Sequence, residues 1–338
     1  KVFRIRPREN PGVNAWWISD EVRYGWKHAI SDQRLNVPMR RQHGVLIADD
    51  YNRVYDSTFA GVKKAVDGGK RLGLLVSPHL TCEEAFTLAN LARSIDPQAI
   101  LGVGPVRFEG ADQTFPPGSR AGEPNTYTIH AEKAPNARGV RRVLSAILGQ
   151  DPLEADAWAE RCAGDDVGAV VLTGNDHRPW ATDAIENAAD RSARFVAVID
   201  TLASSLADRA DIVLPGVTWL EKAGTFENAR GVLQAFERSV PPIEFAKSEG
   251  QIALDLVAVL GGADVLMGAQ ARVEVVDEGP GQVPGAIEVA LPRGTLFNAA
   301  DVRSLMAEAS ADLGAFVMDV QLPAVSAKHE PDMEMVEL

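Results

Sequence analysis

Through the middle of the chain, apolar runs of strand length alternate with stretches of helical period. In residues 56–66 the apolar positions fall three and four apart, which predicts a helix closed by Gly68 and Gly69. RLGLLV at 71–76 predicts a strand. A helix over 82–95 follows, opened by the capping-box pair Thr81 and Glu84, and then a strand over 100–103. Residues 104–124 are rich in Gly, Pro, Asp and Ser and read as a long loop, followed by a helix over 138–148. The pattern then repeats: strand 167–172, loop 173–180, helix 183–189, strand 194–199, a short helix at 204–208, strand 211–214 and a helix at 249–260. Strands with no polar alternation belong to a parallel sheet covered on both faces, and strand–loop–helix order predicts a doubly wound α/β fold. Ligands in such sheets sit beyond the carboxyl ends of the strands, here residues 77–81, 173–177, 200–204 and 215–219. VFRIR near the start reads as strand-like, and strands are also expected at 273–276, 287–291 and 316–322 around a helix at 301–311.

Composition narrows the class. The chain has 338 residues, 46% of them hydrophobic, enough for one large core or two moderate ones. No apolar run reaches membrane-spanning length, and the first residues lack the apolar centre of a signal peptide. Lys1 in place of an initiator Met suggests a piece or processed product of something longer. Residues 1–41 carry nine Lys or Arg against four acids, a surplus of +5, so the overall −13 leaves −18 for the rest. An acidic body of that charge repels a nucleic-acid backbone. The basic segment, with Trp16, Trp17 and Trp26, reads instead as a packed or partner-facing strap. Cys82 and Cys162 show no pairing pattern, which fits a reducing compartment. Each reads as a buried hydrophobe, although the place of Cys82 in a first helical turn leaves a reactive thiol open. The six histidines have no metal-ligand spacing, and no G-x-G-x-x-G, Walker or G-x-S-x-G motif is present.

Residues 210–234, ADIVLPGVTWLEKAGTFENARGVLQ, hold the densest chemistry. Pro215 ends a strand, and Glu221, Lys222, Thr225, Glu227, Asn228 and Arg230 then crowd one polar stretch, read as a compact loop. The order IVLP, Glu221-Lys222, Gly224-Thr225-Phe226, Asn228 and Gly231-x-x-Gln234 resembles the C-terminal signature of the molybdopterin oxidoreductase superfamily. A second stretch, VFRIRPRENPGVNAWWISDEVRYG at 2–25, is similar to the segment leading into the molybdopterin-like domain of the large iron–sulfur (75 kDa or G) subunit of NADH:quinone oxidoreductase, complex I. A shorter match is Lys133-x-Pro135-Asn136-x-x-Gly139. Ser19, followed by Asp20, stands where relatives with an extra cluster carry a ligating Cys; serine is a poor iron ligand and no C-x-x-C lies nearby.

The resemblance implies a strap at 1–47 and a molybdopterin oxidoreductase-like α/β domain of mostly parallel sheets at 48–262; beyond it, the residue pattern alone reads as an α+β extension with an acidic tail at 263–338. The resemblance also implies a non-catalytic, structural or interaction portion of an NADH-oxidising, complex I-like assembly, with no metal and no cofactor in this chain. Iron–sulfur clusters and flavin are expected in partner subunits. The expected location is cytoplasmic and peripheral to a membrane through the complex, with no direct membrane insertion and no nucleic acid. Vestigial cofactor positions are Thr173, Gly174, Asn175, Asp176, Asp200, Glu221, Lys222 and Asn228. Gly174 would let the backbone approach a pyrophosphate, and Asn175 and Asp176 would bond a ribose or base; turn geometry explains the same residues. Asp200 would read a ribose hydroxyl or cap the helix near Ser204. Two rival readings stay open, an active molybdenum or tungsten oxidoreductase such as a formate dehydrogenase, and a free-standing nucleotide-binding protein.

Overall fold

The computed structural model describes residue 2 and residues 4–191, 193–260, 291 and 295–323. In chain order its elements begin with α1 (Asp20–Tyr24), a 3-10 helix (Gly25–Ile30), β1 (Met39–Gln42), β2 (Val45–Ala48), α2 (Tyr51–Asp67), β3 (Arg71–Val76), α3 (Cys82–Ile95) and β4 (Ile100–Val103). Then come β5 (Gln113–Phe115), β6 (Tyr127–Ile129), α4 (Ala137–Leu148), α5 (Ala155–Cys162), β7 (Val167–Thr173), α6 (Asp183–Ala189), β8 (Phe195–Asp200) and α7 (Ser205–Arg209). The last are β9 (Ile212–Pro215), β10 (Gly224–Glu227), β11 (Leu233–Phe236), α8 (Glu249–Leu260), α9 (Ala299–Ala309) and α10 (Ala315–Met318).

Seven strands form one sheet in the order β2-β1-β9-β8-β7-β3-β4. The five from β9 to β4 are parallel, and β1 joins β9 antiparallel. Counted in chain order the parallel strands run 2-1-3-4-5, a doubly wound arrangement whose order reverses between β3 and β7. Alternation along β3 sorts the core. Leu72, Leu74 and Val76 meet α2, α3, α4 and α8, while Leu75 faces α5 and α6. Both faces are therefore covered, which is why the strands read as unbroken apolar runs.

Local chemistry sets the boundaries. The Asp50 side chain accepts from Arg53 N and starts α2 at Tyr51, five residues before the expected position 56. Thr81 and Glu84 complete the capping box of α3. His43 and Gly44 both take positive φ (50° and 82°), as the tight turn of the β1–β2 hairpin requires. Gly102 makes room for Trp158: a Cβ there would lie 2.5 Å from the indole, whose Nε1 donates to the Ile100 carbonyl at 3.1 Å.

Several expectations need correction. The described residues Val2, Arg4, Ile5 and Arg6 lie in no strand, and the β character of the N-terminal strap lies in the β1–β2 hairpin, which joins the main sheet, so the division at 47 cuts β2. The run 316–322 holds helix α10 instead of a strand; Phe316 is buried against the core while Val317 and Met318 are exposed. The helix expected at 301–311 spans Ala299–Ala309, capped by Asn298. The polar loop at 221–230 contains β10, paired with β11, and the long loop at 104–124 contains β5, paired with β6. Helix α5 was not anticipated. The strands expected at 273–276 and 287–290, and the acidic tail, lie outside the described residues.

Candidate functional site

The four loops expected to meet do so at the carboxyl edge of the parallel strands. Ser77 N donates to Thr173 Oγ1 at 2.8 Å, joining the β3 and β7 loops at the point where the strand order reverses. Asn175 N donates to Asp200 Oδ1 at 2.8 Å, Asn175 Nδ2 reaches the Val217 carbonyl at 2.7 Å, and Gly216 N donates to the Asp200 carbonyl at 2.8 Å.

Each candidate polar group there is engaged within the protein. Thr173 Oγ1 also donates to the Leu75 carbonyl at 3.0 Å. Asp200, 2% exposed, accepts from Asn175 N, Thr201 N (2.7 Å) and Trp180 Nε1 (2.8 Å). Burial pushes its carboxyl up, against the three N–H groups that favour the ionised form. Asp200 does not cap α7; the Ser204 side chain does, accepting from Ala207 N. The place of Gly174 follows from the same carboxylate, since a Cβ there would lie 2.1 Å from Asp200 Oδ2. Its missing side chain is filled by Asp200. Asn175 sits at φ 83°, a left-handed conformation that asparagine tolerates.

Behind these loops lies a buried ionic layer. Lys222 Nζ bonds Glu84 Oε2 at 2.8 Å and Glu249 Oε2 at 3.0 Å, with all three side chains at most 1% exposed. Burial pushes the Glu249 carboxyl up to about 8, against the pull of Lys222. Glu221 pairs with Arg34 at 2.9 Å and accepts from Thr218 N and Oγ1 at 2.8 and 2.9 Å, pinning the strap to the domain. Thr225 N and Oγ1 donate to Glu83 at 2.8 and 2.7 Å, and Arg303 of α9 reaches the same carboxylate at 2.9 Å. Asn228 accepts from Arg230 N and Val232 N at 2.9 and 3.1 Å and so shapes the β10–β11 turn. These groups hold segments far apart in sequence together.

Ser19 is equally local in its role: its hydroxyl accepts from Val22 N and caps α1. Cys82 is fully buried beside Asn136, and burial pushes its thiol well above the usual range, which removes the thiolate that a reactive role needs.

On the rim the structure assembles what no spacing in the sequence announced. His79 Nε2 lies 3.6 Å from Asp176 Oδ2, His177 Nδ1 lies 3.2 Å from Asp176 Oδ1, and the His28 ring stands 5.7 Å from that of His177. Arg107 approaches Asp176 at 3.6 Å, and Arg178 pairs with Glu109. Burial raises the Asp176 carboxyl, but His79, Arg178 N and His177 outweigh it and hold it below the usual range. Burial lowers both His28 and His177, which favours the neutral form of these two imidazoles. Among the described residues no set of three or more His, Cys, Asp or Glu converges to hold a metal ion. The donor set fits a pterin nucleotide poorly for a separate reason, since Thr173, Asn175 and Asp200 already bond backbone and side chains of the same loops, Glu221 pairs with Arg34, and Lys222 pairs with Glu84 and Glu249.

A doubly wound α/β domain with its polar loops gathered at a topological switch point is the class that fold and site define. Residues 109–259 match the family model described as molybdopterin oxidoreductase. The sheet extends beyond the match, because β3 and β4 precede it yet pair within the same sheet. The chain is similar to NADH-quinone oxidoreductase subunit 3 of Thermus thermophilus, 32% identical over 120 residues, 35% of this chain and 15% of the relative. It is also similar to the alpha subunit of F420-dependent formate dehydrogenase 2 of Methanococcus maripaludis, 29% identical over 119 residues, 34% of this chain and 17% of the relative. A third relative is the assimilatory nitrate reductase catalytic subunit of Bacillus subtilis, 33% identical over 98 residues, 29% of this chain and 14% of the relative. The chain thus spans roughly a sixth of the length of these relatives. No helix among the described residues is long and apolar enough to cross a membrane.

Proposed function

We propose that this domain is a structural and interaction element of an NADH-oxidising, complex I-like electron-transfer assembly, without a molybdenum centre of its own. One observation carries the reading: the side chains that would face a pterin nucleotide are consumed by internal bonds. Asp200 fills the space beside Gly174 that a pyrophosphate would approach, and Asn175 ties the β7 loop to Val217. A ligand there would have to break bonds already made, each costing about 1–3 kcal/mol when a buried partner is left unpaired. Ser19 serves as a helix cap, so the strap keeps its shape without a cluster ligand. The similarity to an NADH-quinone oxidoreductase subunit supports an assembly of this kind.

In this reading the clusters and flavin reside in partner subunits, and the domain supplies rigid surface. Its strap presents Trp16, Tyr24 and Ile30 at 54%, 59% and 60% exposure beside Arg23 and Lys27, an aromatic and basic face suited to a partner. Affinity isolation of the tagged chain from its own cells tests this. Co-isolation of subunits carrying flavin and iron–sulfur clusters is the expected result, and isolation of the chain alone with a retained dinucleotide would overturn it.

A further inference from the structure

Glu84, Lys222 and Glu249 present an arithmetic problem. Two carboxylates and one ammonium, all at most 1% exposed, leave one uncompensated negative charge in the interior if all three are ionised. The bonding pattern shows how this is relieved. Glu84 Oε2 accepts from Lys222 Nζ at 2.8 Å and from Thr81 N at 2.9 Å. Glu249 Oε1 accepts from Asn175 Nδ2 at 2.7 Å, and Glu249 Oε2 from Lys222 Nζ at 3.0 Å. Glu84 Oε1 is buried with no hydrogen-bond partner, and the Glu84 and Glu249 carboxyls meet at the same Lys222 Nζ. One proton on the carboxyl pair brings the triad to zero net charge.

We propose that Glu84, Lys222 and Glu249 form a one-proton switch. With one proton shared by the two carboxyls, the triad is neutral and locks α3, α8 and the 218–224 segment together. Release of that proton to water leaves a buried negative charge and loosens this seam. The triad touches the rim through Asn175, whose amide bonds both Glu249 and the Val217 carbonyl, so the Asp176–His177 turn moves with it. Gly216 confines Glu249 from the other side, since a Cβ there would lie 2.7 Å from Glu249 Oε1. The remaining charged groups on adjoining elements are committed elsewhere. Glu83 is bonded to Arg303, Glu221 to Arg34, Asp255 to Lys247 and Tyr55, and Asp200 to Asn175 and Trp180. The switch needs no cofactor and is independent of the assembly reading.

The sign follows from the direction of the perturbation. Burial raises the Glu249 carboxyl from 4.5 to about 8 in the folded state, so the folded protein holds a proton that the unfolded chain has lost. The stabilisation is complete below the unfolded value and is lost as pH rises to about 8, weakening the folding equilibrium by about tenfold per pH unit within that window.

Infrared spectroscopy of the whole chain in D2O, followed from pH 6 to pH 10, reads the switch directly. The expected result is a buried protonated-carboxyl C=O band that disappears with a midpoint near 8 and is absent from both Glu249→Gln and Glu84→Gln. Either substitution leaves a one-to-one Lys–carboxylate pair with no proton to share, and glutamine at 84 keeps the capping box. Hydrogen-exchange protection factors, corrected for the base-catalysed intrinsic rate, should also fall at residues 175–177 and 218–224 above the midpoint, in the wild type alone. If one variant fails to fold, the other supplies the comparison. A wild type with no carboxyl band titrating in this range, or a band that survives in a folded variant, overturns the proposal.

Discussion

Replacing Asp200 separates an internal anchor from a ligand-reading residue. In Asp200→Ala three donors lose their acceptor: the N–H groups of Asn175 and Thr201 at 2.8 and 2.7 Å, and Trp180 Nε1 at 2.8 Å. Each buried donor left unpaired costs about 1–3 kcal/mol, and because all three share one carboxylate the sum falls toward the lower end, about 3–6 kcal/mol. That is a large part of the ~5–15 kcal/mol that stabilises an ordinary domain. Asp200→Asn supplies the graded comparison. Asn175 and Thr201 both donate to Oδ1, so an amide oxygen placed there keeps both bonds, and only the Trp180 indole meets a donor in place of an acceptor. Its cost should be about 1–3 kcal/mol. Urea unfolding followed by circular dichroism gives both values, and Trp180 fluorescence reports loss of the indole bond. Refutation would come from an Asp200→Ala protein within about 0.5 kcal/mol of wild type that had lost affinity for a ribonucleotide, because an exposed reading group behaves in that way.

Two further outcomes follow from burial and packing. Burial pushes Cys162 up to about 12 and holds Cys82 well above the usual thiol range, so at pH 8 a thiol reagent should label neither residue in the native protein and both in urea; rapid native labelling of Cys82 would reveal an accessible thiolate. Gly102→Ala would drive a methyl to 2.5 Å from Trp158, whose indole is held by the Ile100 carbonyl, and should cost about 1–3 kcal/mol in thermal unfolding; an unchanged midpoint would show that the indole can move.

The parts legible in the sequence are those whose information is local. The residues of β3, β4 and β7 are buried on both faces and read as continuous apolar runs. The Thr81–Glu84 box marks the start of α3 within the span that it governs. What stayed hidden depends on partners far along the chain. Strand β10 carries Thr225 and Glu227, polar residues suggesting a loop, yet they are buried because Glu83 meets Thr225 and Arg142 meets Glu227 at 2.6 Å. Lys222 reads as a solvated charge until Glu84 and Glu249 close around it from 138 and 27 positions away. The rim histidines come from three separate segments, so no local spacing could have joined His28, His79 and His177. The strand expected at 316–322 failed because a short apolar run fits a buried helix turn equally well, and only the burial of Phe316 beside exposed Val317 and Met318 decides between them. Gly174 was legible as a required glycine, but its cause was not, since it makes room for Asp200.

The domain's central property is that its switch-point loops are filled by their own side chains. Elemental analysis for molybdenum and tungsten, with extraction of bound pterin, on the complex isolated through this chain from its own cells tests that most directly. Iron and flavin accompanied by less than stoichiometric molybdenum, tungsten and pterin is the predicted result. One molybdenum or tungsten and its pterin per chain would contradict it.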